Sequence, residues 1–216
     1  MHINSDKFKY NKKEEILAHL FSLQRFGIKP GLERTQHLLN FLGNPQNSFP
    51  SVHIAGTNGK GSVCSMLASV FMEAGYKTAL YTSPHLVRFN ERIRVNIIEI
   101  SDNDIIRLAE ILMPEGEKIG ATFFEITTAM AFRYFAEQKV NVAVIETGLG
   151  GRFDSTNVLK PLLSVITSLD IDHTEYLGKT IKDIAFEKAG IIKENTPVIV
   201  SRNSTEAISV IKEKSR

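Results

Sequence analysis

The stretch VHIAGTNGKGSVCSML, residues 52–67, decides the fold. Val52–Ala55 has the composition of a short buried strand, and the apolar spacing from Ser62 to Ala74 is that of a helix. Between them stand glycines and one lysine, and Gly75 then provides a left-handed helix cap. Backbone N–H groups between a strand and a helix, with the helix dipole behind them, form a cradle for anions. The stretch therefore predicts a phosphate-binding loop.

The rest of the chain alternates between strands and helices. Apolar runs predict strands at 78–81, 142–146, 162–167 and 197–201, and RFNERIRVN at 88–96 predicts a hairpin or an extended loop. Helices are predicted at 14–26 and 32–42, after the capping boxes Ser101/Asp104, Thr122/Glu125 and Thr180/Asp183, and in the C-terminal segment. This alternation predicts an α/β fold, a mainly parallel sheet with helices on both faces, whose ligands gather at the carboxyl ends of the strands.

Composition limits the functional classes. The 216 residues suit one domain, and a net charge of +2 is too small to indicate a nucleic-acid partner. The single cysteine, Cys64, excludes an internal disulfide framework and fits a reducing cytoplasm; we expect it to be a small core residue. With no apolar signal core and no run of eighteen apolar residues, we expect no membrane span and a cytoplasmic location.

The glycine-lysine loop has a direct chemical interpretation. Its glycines let the backbone approach a phosphate, Lys60 adds positive charge, and the Ser62 hydroxyl can reach a phosphate-bound Mg²⁺. The match to G-x-x-x-x-G-K-[ST] is imperfect, because Ile54 stands at the first position and Gly61 precedes the serine. A glycine turn with a solvated lysine would share this pattern, but the strand before and helix after favour a nucleotide site. The predicted ATP-binding residues are Gly56, Thr57, Asn58, Gly59, Lys60, Gly61 and Ser62.

Several motifs together resemble one protein family. AGTNGKGS at 55–62 resembles the ATP loop of the Mur ligase superfamily, in particular of folylpolyglutamate synthases and bifunctional dihydrofolate synthases. Further similar motifs follow in that family's order: YTSPHL (81–86), FFE (123–125), ETGLGGRFDSTN (146–157), DHTEYLG (172–178) and EKAGIIK (187–193). The resemblance runs from about residue 28 to the end. It implies that residues 1–216 form an incomplete N-terminal Mur-ligase-like ATP-binding domain, without the family's C-terminal glutamate-ligase domain.

Candidate metal ligands follow predicted strands. Glu146 ends an apolar strand, where a carboxylate can hold Mg²⁺ beside a nucleotide phosphate, although an ordinary strand-end carboxylate would bond loop N–H groups instead. Ser83 alone reads as a turn serine, and Mg²⁺ prefers oxygen over the nitrogen of His173. The resemblance nevertheless implies Mg²⁺ ligation by Ser83, Glu146 and His173, with Ser62 a weaker candidate. His85 is expected to be structural.

The resemblance implies three places for a pteroyl substrate. They are Ile28, Lys29 and Pro30; Thr122, Phe123, Phe124 and Glu125; and Phe153, Asp154 and Ser155. Phe124 could stack on a pterin ring, and a nearby carboxylate could bond its amino-pyrimidine edge. Read without the family, Phe123 and Phe124 are core residues of a helix and Glu125 is the capping-box residue.

Lys188 has two interpretations. A lysine is cationic at neutral pH and a poor neighbour for Mg²⁺, so the plain expectation is an exposed lysine or one paired with Glu187 or Glu194. The resemblance instead implies a carbamylated catalytic lysine. Burial on the cleft side would favour the neutral amine, which adds CO₂, and the carbamate would suit a second Mg²⁺.

The implied reaction is ATP-dependent amide formation through an acyl phosphate, with Lys60 and Mg²⁺ stabilising the transferred charge. ATP is the co-substrate, two Mg²⁺ ions are the cofactors, and the partners are L-glutamate and either folate or dihydropteroate. The full-length protein is expected to be a monomer. Two other classes stay open: a phosphate-loop kinase or GTPase-like switch, and a module that binds folate or nucleotide without chemistry. The preferred pteroyl substrate and the number of added glutamates stay open too.

Overall fold

A seven-stranded sheet organises the chain in the computed structural model, which describes residues 5–23 and 30–215 and the side chains of 12–23 and 30–215. The strands are β1 Ser51–Ala55, β2 Thr78–Tyr81, β3 Ile93–Val95, β4 Ile98–Glu99, β5 Val142–Glu146, β6 Leu163–Ile166 and β7 Val198–Val200. Their order is β4-β3-β2-β5-β1-β6-β7. The neighbouring pairs β2–β5, β5–β1, β1–β6 and β6–β7 are parallel, whereas the pairs β2–β3 and β3–β4 are antiparallel. The predicted mainly parallel sheet is confirmed.

Helices cover both faces of this sheet. They are α1 Ser5–Ser22, α2 Glu33–Phe41, α3 Lys60–Glu73, α4 Asp102–Lys118, α5 Phe123–Glu137, α6 Thr174–Leu177, α7 Ile181–Ala189 and α8 Thr205–Lys214. Because side chains alternate along a strand, Ala143 and Ile145 join the large core beneath α1, α2, α4 and α5, whereas Val144 packs with α3. Cys64 is fully buried in that second cluster, as expected.

Most predicted elements are present, with shifted ends. α1 begins at Ser5, well before the predicted start at residue 14, and its predicted end at 24–26 lies outside the described residues. The segment 88–96 contains a 3-10 helix, Phe89–Arg92, followed by β3, which forms a hairpin with β4. Complete capping boxes start α5 and α7, whereas Ser101 caps α4 by accepting only the Asp104 N–H.

One boundary changes the interpretation of the phosphate loop. α3 begins at Lys60, two residues before the predicted start, so Lys60 belongs to the first helical turn and not to a solvated loop. Gly59 is the N-cap, with a φ of +81° that favours glycine. The first helical N–H groups have no partner inside the helix, which leaves them available to an anion.

The parallel strands bring four loops to one edge of the sheet. The loops after β1, β2, β5 and β6 begin at residues 56, 82, 147 and 167, where the predicted ATP and metal residues lie. Among the helices that the structure describes, none combines the length and apolar character needed to cross a membrane.

Candidate active site

The phosphate loop is held in place by the end of β6. Thr57 and Asn58 both donate their backbone N–H to the carbonyl of Ser168, at 2.8 and 3.2 Å. A β-carbon at Gly56 would lie 1.8 Å from the Thr167 hydroxyl oxygen, so only glycine fits there. Since the amides of Thr57 and Asn58 are occupied, the N–H groups free to face a phosphate are those at the start of α3. Lys60 Nζ lies nearby and donates to the Thr57 carbonyl at 3.3 Å.

Glu146 and Ser83 meet beside this helix start. Glu146 ends β5, is 4% exposed, and its Oε2 accepts the Ser83 N–H at 3.2 Å. A β-carbon at Gly61, in the first turn of α3, would lie 3.7 Å from the same oxygen. Burial raises the pKa of Glu146, opposed by the Ser83 N–H bond and by the charge of Lys60. A buried carboxylate beside a hydroxyl provides the hard oxygen donors that Mg²⁺ prefers, so these two residues fit the ion.

His173 lies at the rim of the same region. It is exposed, adopts a left-handed conformation with φ 49° as the N-cap of α6, and its Nε2 lies 3.4 Å from Asp172 Oδ2. Within the described ranges, no group of three or more histidine, cysteine, aspartate or glutamate side chains is arranged to hold a metal. A Mg²⁺ ion bound by the oxygens of Glu146 and Ser83 would therefore take its remaining ligands from phosphate and water, as is usual for this ion.

Lys188 is buried at the back of the phosphate loop. It is 3% exposed, and its Nζ donates to the Gly56 carbonyl at 2.8 Å. Burial first, and then the charge of Lys60, lower the pKa of Lys188 to about 8. Glu187 pairs instead with Arg152 at 2.6 Å. The plain expectation of an exposed or glutamate-paired lysine is therefore wrong, and the burial that the second interpretation requires is present.

A cavity of about 570 Å³ opens next to the Glu146–Ser83 pair. Residues 122–125 and 153–155, all predicted to bind substrate, line it together with Ser83 and His173. Pro30 is exposed and does not line it, while Ile28 and Lys29 lie outside the described residues. The sequence did not point to five other lining residues: Pro84, Arg92, Gly148, Leu149 and Tyr176. Glycine-rich loops commonly approach ligands, so ETGLGG was the available signal for Gly148 and Leu149.

The two neighbouring phenylalanines differ in role. Phe123 is 5% exposed and its ring stacks on Phe21 with centroids 5.2 Å apart, which makes it a core residue. Phe124 is half-buried and faces the cavity, with its ring against Gly148. Glu125 Oε1 accepts from Arg34 Nε at 2.9 Å and Oε2 accepts the Thr122 N–H at 2.6 Å. Phe124 is thus the ring of this pair that a ligand can reach.

Asp154 organises the loop that closes the cavity. Its Oδ2 accepts the N–H groups of Gly148 and Leu149, each at 2.8 Å, and its Oδ1 accepts the Thr156 N–H and hydroxyl. A carboxylate has about four lone-pair sites, and these four donors fill them. Burial raises its pKa against those bonds. A direct bond from Asp154 to a pterin edge is therefore not favoured, and its neighbour Phe153, 46% exposed, is the accessible side chain.

Comparison with known proteins places this site in a family. The model of the Mur ligase middle domain matches residues 54–216, which include the phosphate loop, Ser83, Glu146 and Lys188. The chain belongs to the Mur ligase family. The predicted substrate positions 28–30 precede the part that the Mur ligase model matches.

Several relatives carry related names. The chain is 50% identical over 195 residues to the dihydrofolate synthase/folylpolyglutamate synthase of Bacillus subtilis (strain 168), covering 87% of this chain and 45% of that protein. It is 40% identical to the folylpolyglutamate synthase of Lacticaseibacillus casei, covering 93% of this chain and 48% of that protein. The chain thus spans about half the length of these Mur ligase relatives.

Solved structures agree with the fold. The FPGS–AMPPCP–folate complex matches with a TM-score of 0.88 and 39% identity, over 94% of this chain and 51% of that chain. The folylpolyglutamate synthase of Thermotoga maritima matches with a TM-score of 0.86 and 43% identity, over 96% of this chain and 48% of that chain. The sheet and helices described above are therefore those of Mur ligase enzymes.

Proposed function

We propose that this chain is the ATP-binding half of a ligase that joins L-glutamate to folate, and to dihydropteroate as an alternative acceptor. One geometric observation carries the proposal: the phosphate loop and the aromatic cavity meet at Glu146 and Ser83. Glu146 faces the first turn of α3, while Ser83, bonded to it, lines the cavity. A nucleotide phosphate and a substrate carboxylate would approach each other across this pair.

The chemistry assigned to the site is phosphoryl transfer followed by amide formation. The γ-phosphoryl group passes to the substrate carboxylate, ADP leaves, and the glutamate amine displaces phosphate from the acyl phosphate. The amides at the start of α3 and Lys60 would hold the phosphates, because positioned positive charge stabilises this transition state. Ser83, Glu146 and His173 would hold one Mg²⁺, and carbamylated Lys188 a second; when bound, the ions neutralise phosphate charge.

The substrate assignment rests on the cavity. A volume of about 570 Å³ and the reachable ring of Phe124 suit a flat bicyclic ring system. Support comes from the FPGS–AMPPCP–folate complex, which shares the fold and 39% of the aligned residues. Leu149 and residues 153–155, which Asp154 ties together by hydrogen bonds, also line the cavity.

The proposal extends to the rest of the protein. Residues 1–216 would be the N-terminal domain, joined in the full-length protein to a second half that completes the glutamate site and part of the ATP pocket. A cytoplasmic monomer is proposed as well, in keeping with the free, buried Cys64.

Glutamate-dependent ADP release tests the function. The full-length protein receives ATP, Mg²⁺ and either tetrahydrofolate or dihydropteroate, with and without L-glutamate. We expect ADP and the glutamylated product to form only when all components are present. The 216-residue chain alone should not ligate glutamate, since an open cleft cannot protect an acyl phosphate from water. ADP release that ignores glutamate would indicate a kinase or switch, and binding without ADP release would indicate a binding module.

A further inference from the structure

An arginine lies buried in the wall of the cavity. Arg92 ends the 3-10 helix Phe89–Arg92, is 6% exposed, and lines the cavity beside Ser83 and Phe124. Its guanidinium carbon lies 5.3 Å from the centre of the Phe123 ring. Nε donates to His85 Nδ1 at 2.8 Å, and this is the one hydrogen bond that the five N–H donors of Arg92 make to the described residues.

This buried cation forms no salt bridge in the described part of the chain, and the charges of Glu146 and Glu91 act on it only from beyond salt-bridge distance. No carboxylate oxygen of those residues lies within 4.0 Å of the Arg92 guanidinium nitrogens. Arg34 and Arg152, which lie near the same cavity, each pair with a carboxylate, Glu125 and Glu187 respectively. Burying a charge without a salt bridge is costly, so a buried guanidinium that lines a cavity and forms no salt bridge with the described residues points to an anionic ligand group.

His85 holds the guanidinium in one orientation. Nδ1 of His85 accepts this hydrogen bond, so Nδ1 must carry a lone pair. The imidazole ring is therefore neutral, with its proton on Nε2. With Nε engaged, the edge formed by the two Nη atoms is left for a ligand, and that edge can bind both oxygens of a carboxylate.

The loop that carries His85 is itself fixed to the helix that carries Arg92. The Glu91 carboxylate accepts the N–H groups of Leu86, Val87 and Arg88 at 2.8, 2.8 and 2.6 Å. Glu91 immediately precedes Arg92, so one short segment positions both members of the His85–Arg92 pair. The binding edge is therefore organised before a ligand arrives, which lowers the entropic cost of binding.

We propose that the two Nη atoms of Arg92 bind the carboxylate of the pteroyl substrate that is to be phosphorylated, and that His85 is a positioning residue for Arg92. The assignment rests on the proposed function, and it adds the group that recognises the reacting end of the substrate. Phe124 would bind the ring system and Arg92 the carboxylate, in the cavity that is also lined by Ser83, whose N–H is bonded to the metal carboxylate Glu146. The carboxylate would then face the nucleotide.

The assignment is tested by combining substitutions of Arg92 and His85 with removal of the negative charge from the ligand. Binding of pteroic acid and of its methyl ester is measured by calorimetry in the full-length wild type and in Arg92→Gln, Arg92→Met and His85→Phe variants. We expect the wild type to prefer the acid by about tenfold to a hundredfold, as for a charge-assisted bidentate bond. Both Arg92 variants should lose this preference, because they should bind the acid more weakly and the ester with unchanged affinity. His85→Phe should lose part of it.

Arg88→Gln is the matched control, because Arg88 lies in the same loop but its side chain is exposed and pairs with Glu99. It should keep the preference for the acid. Arg92→Met keeps the bulk of the side chain among aromatic rings, so it remains informative if Arg92→Gln does not fold. An acid preference that persists in folded Arg92 variants overturns the assignment while leaving the proposed function intact. If the wild type binds neither ligand, the proposed function is wrong and the assignment falls with it.

Discussion

Lys188 Nζ donates a hydrogen bond to the carbonyl oxygen of Gly56 at 2.8 Å, which joins the last turn of α7 to the first residue of the phosphate loop. The two residues are 132 positions apart in the sequence. Burial and the nearby charge of Lys60 lower the pKa of Lys188 to about 8. The neutral amine is the form that adds CO₂, so this position suits a carbamate.

Lys188→Ala should leave the full-length protein almost inactive, with partial rescue by acetate. The short carboxylate would replace the oxygens of the carbamate in the space left by the side chain. With ¹³C-bicarbonate, the wild type should give a carbamate NMR resonance that the variant lacks. Lys182→Ala, an exposed lysine of the same helix, is the control and should keep both resonance and activity. An active Lys188→Ala protein, with no carbamate resonance in the wild type, would contradict this role.

The lowered pKa of Lys188 also predicts a pH dependence of stability. Between about pH 8 and the usual lysine value of 10.5, the unfolded chain binds the proton that the folded chain has lost. The free energy of unfolding therefore rises with pH across this window, by about 3 kcal/mol at most, and this contribution is constant below it. Denaturant titrations in CO₂-free buffer should reveal the rise in wild type and not in Lys188→Met. Parallel profiles for the two proteins would contradict the burial of a titrating amine.

Local sequence signals predicted most of the fold because they act over a few residues. The capping boxes at Thr122 and Thr180 mark the starts of α5 and α7, and the apolar run at 142–146 is β5 without change. The start of α3 was misplaced because glycines at 59 and 61 suggested a loop. Gly59 is in fact the left-handed N-cap, and Gly61 is already helical.

The site was harder to predict because its decisive properties come from distant contacts. Nothing near Lys188 in the sequence indicates that Gly56 and the phosphate loop cover it. The four donors to Asp154 come together only when the loop folds. Likewise, local sequence does not indicate that Arg92 is buried without a salt bridge to the described residues. Motif resemblance supplied candidate residues, whereas burial and hydrogen-bond partners indicate what each side chain can do.

Glu146→Ala and His173→Ala should both raise the Mg²⁺ concentration needed for half-maximal activity of the full-length protein. Glu146 should have the larger effect, about tenfold to a hundredfold, because it brings a buried negative charge and oxygen donors to a hard cation. His173 is exposed and offers nitrogen, so its effect should be smaller. Glu175→Ala, an exposed carboxylate in α6, is the control. Unchanged Mg²⁺ midpoints in both site variants would remove these residues from the metal shell.

Lys60→Ala should abolish productive use of ATP without unfolding the protein. The side chain is half-buried and its one described hydrogen bond is to the Thr57 carbonyl, so little packing is lost. Removal of a phosphate-facing charge should lower the rate by about a hundredfold or more. Single-turnover ADP formation measures the loss, circular dichroism checks the fold, and exposed Lys182→Ala is again the matched control. Near-normal turnover in folded Lys60→Ala protein would overturn the assignment of this loop.

Gly148→Ala should weaken pteroate binding through Phe124. A β-carbon at Gly148 would lie 2.4 Å from Phe124 Cζ, so the half-buried ring must turn away from its place in the cavity wall. Loss of one aromatic contact predicts a decrease in affinity of about tenfold, with little change in thermal stability because the ring can move towards solvent. Fluorescence titration with pteroic acid measures Kd in Gly148→Ala, in Phe124→Ala and in the double variant. If Gly148 acts by placing this ring, its substitution should have almost no further effect once Phe124 is alanine. Additive losses in the double variant would instead mean that Gly148 contacts the ligand independently of Phe124.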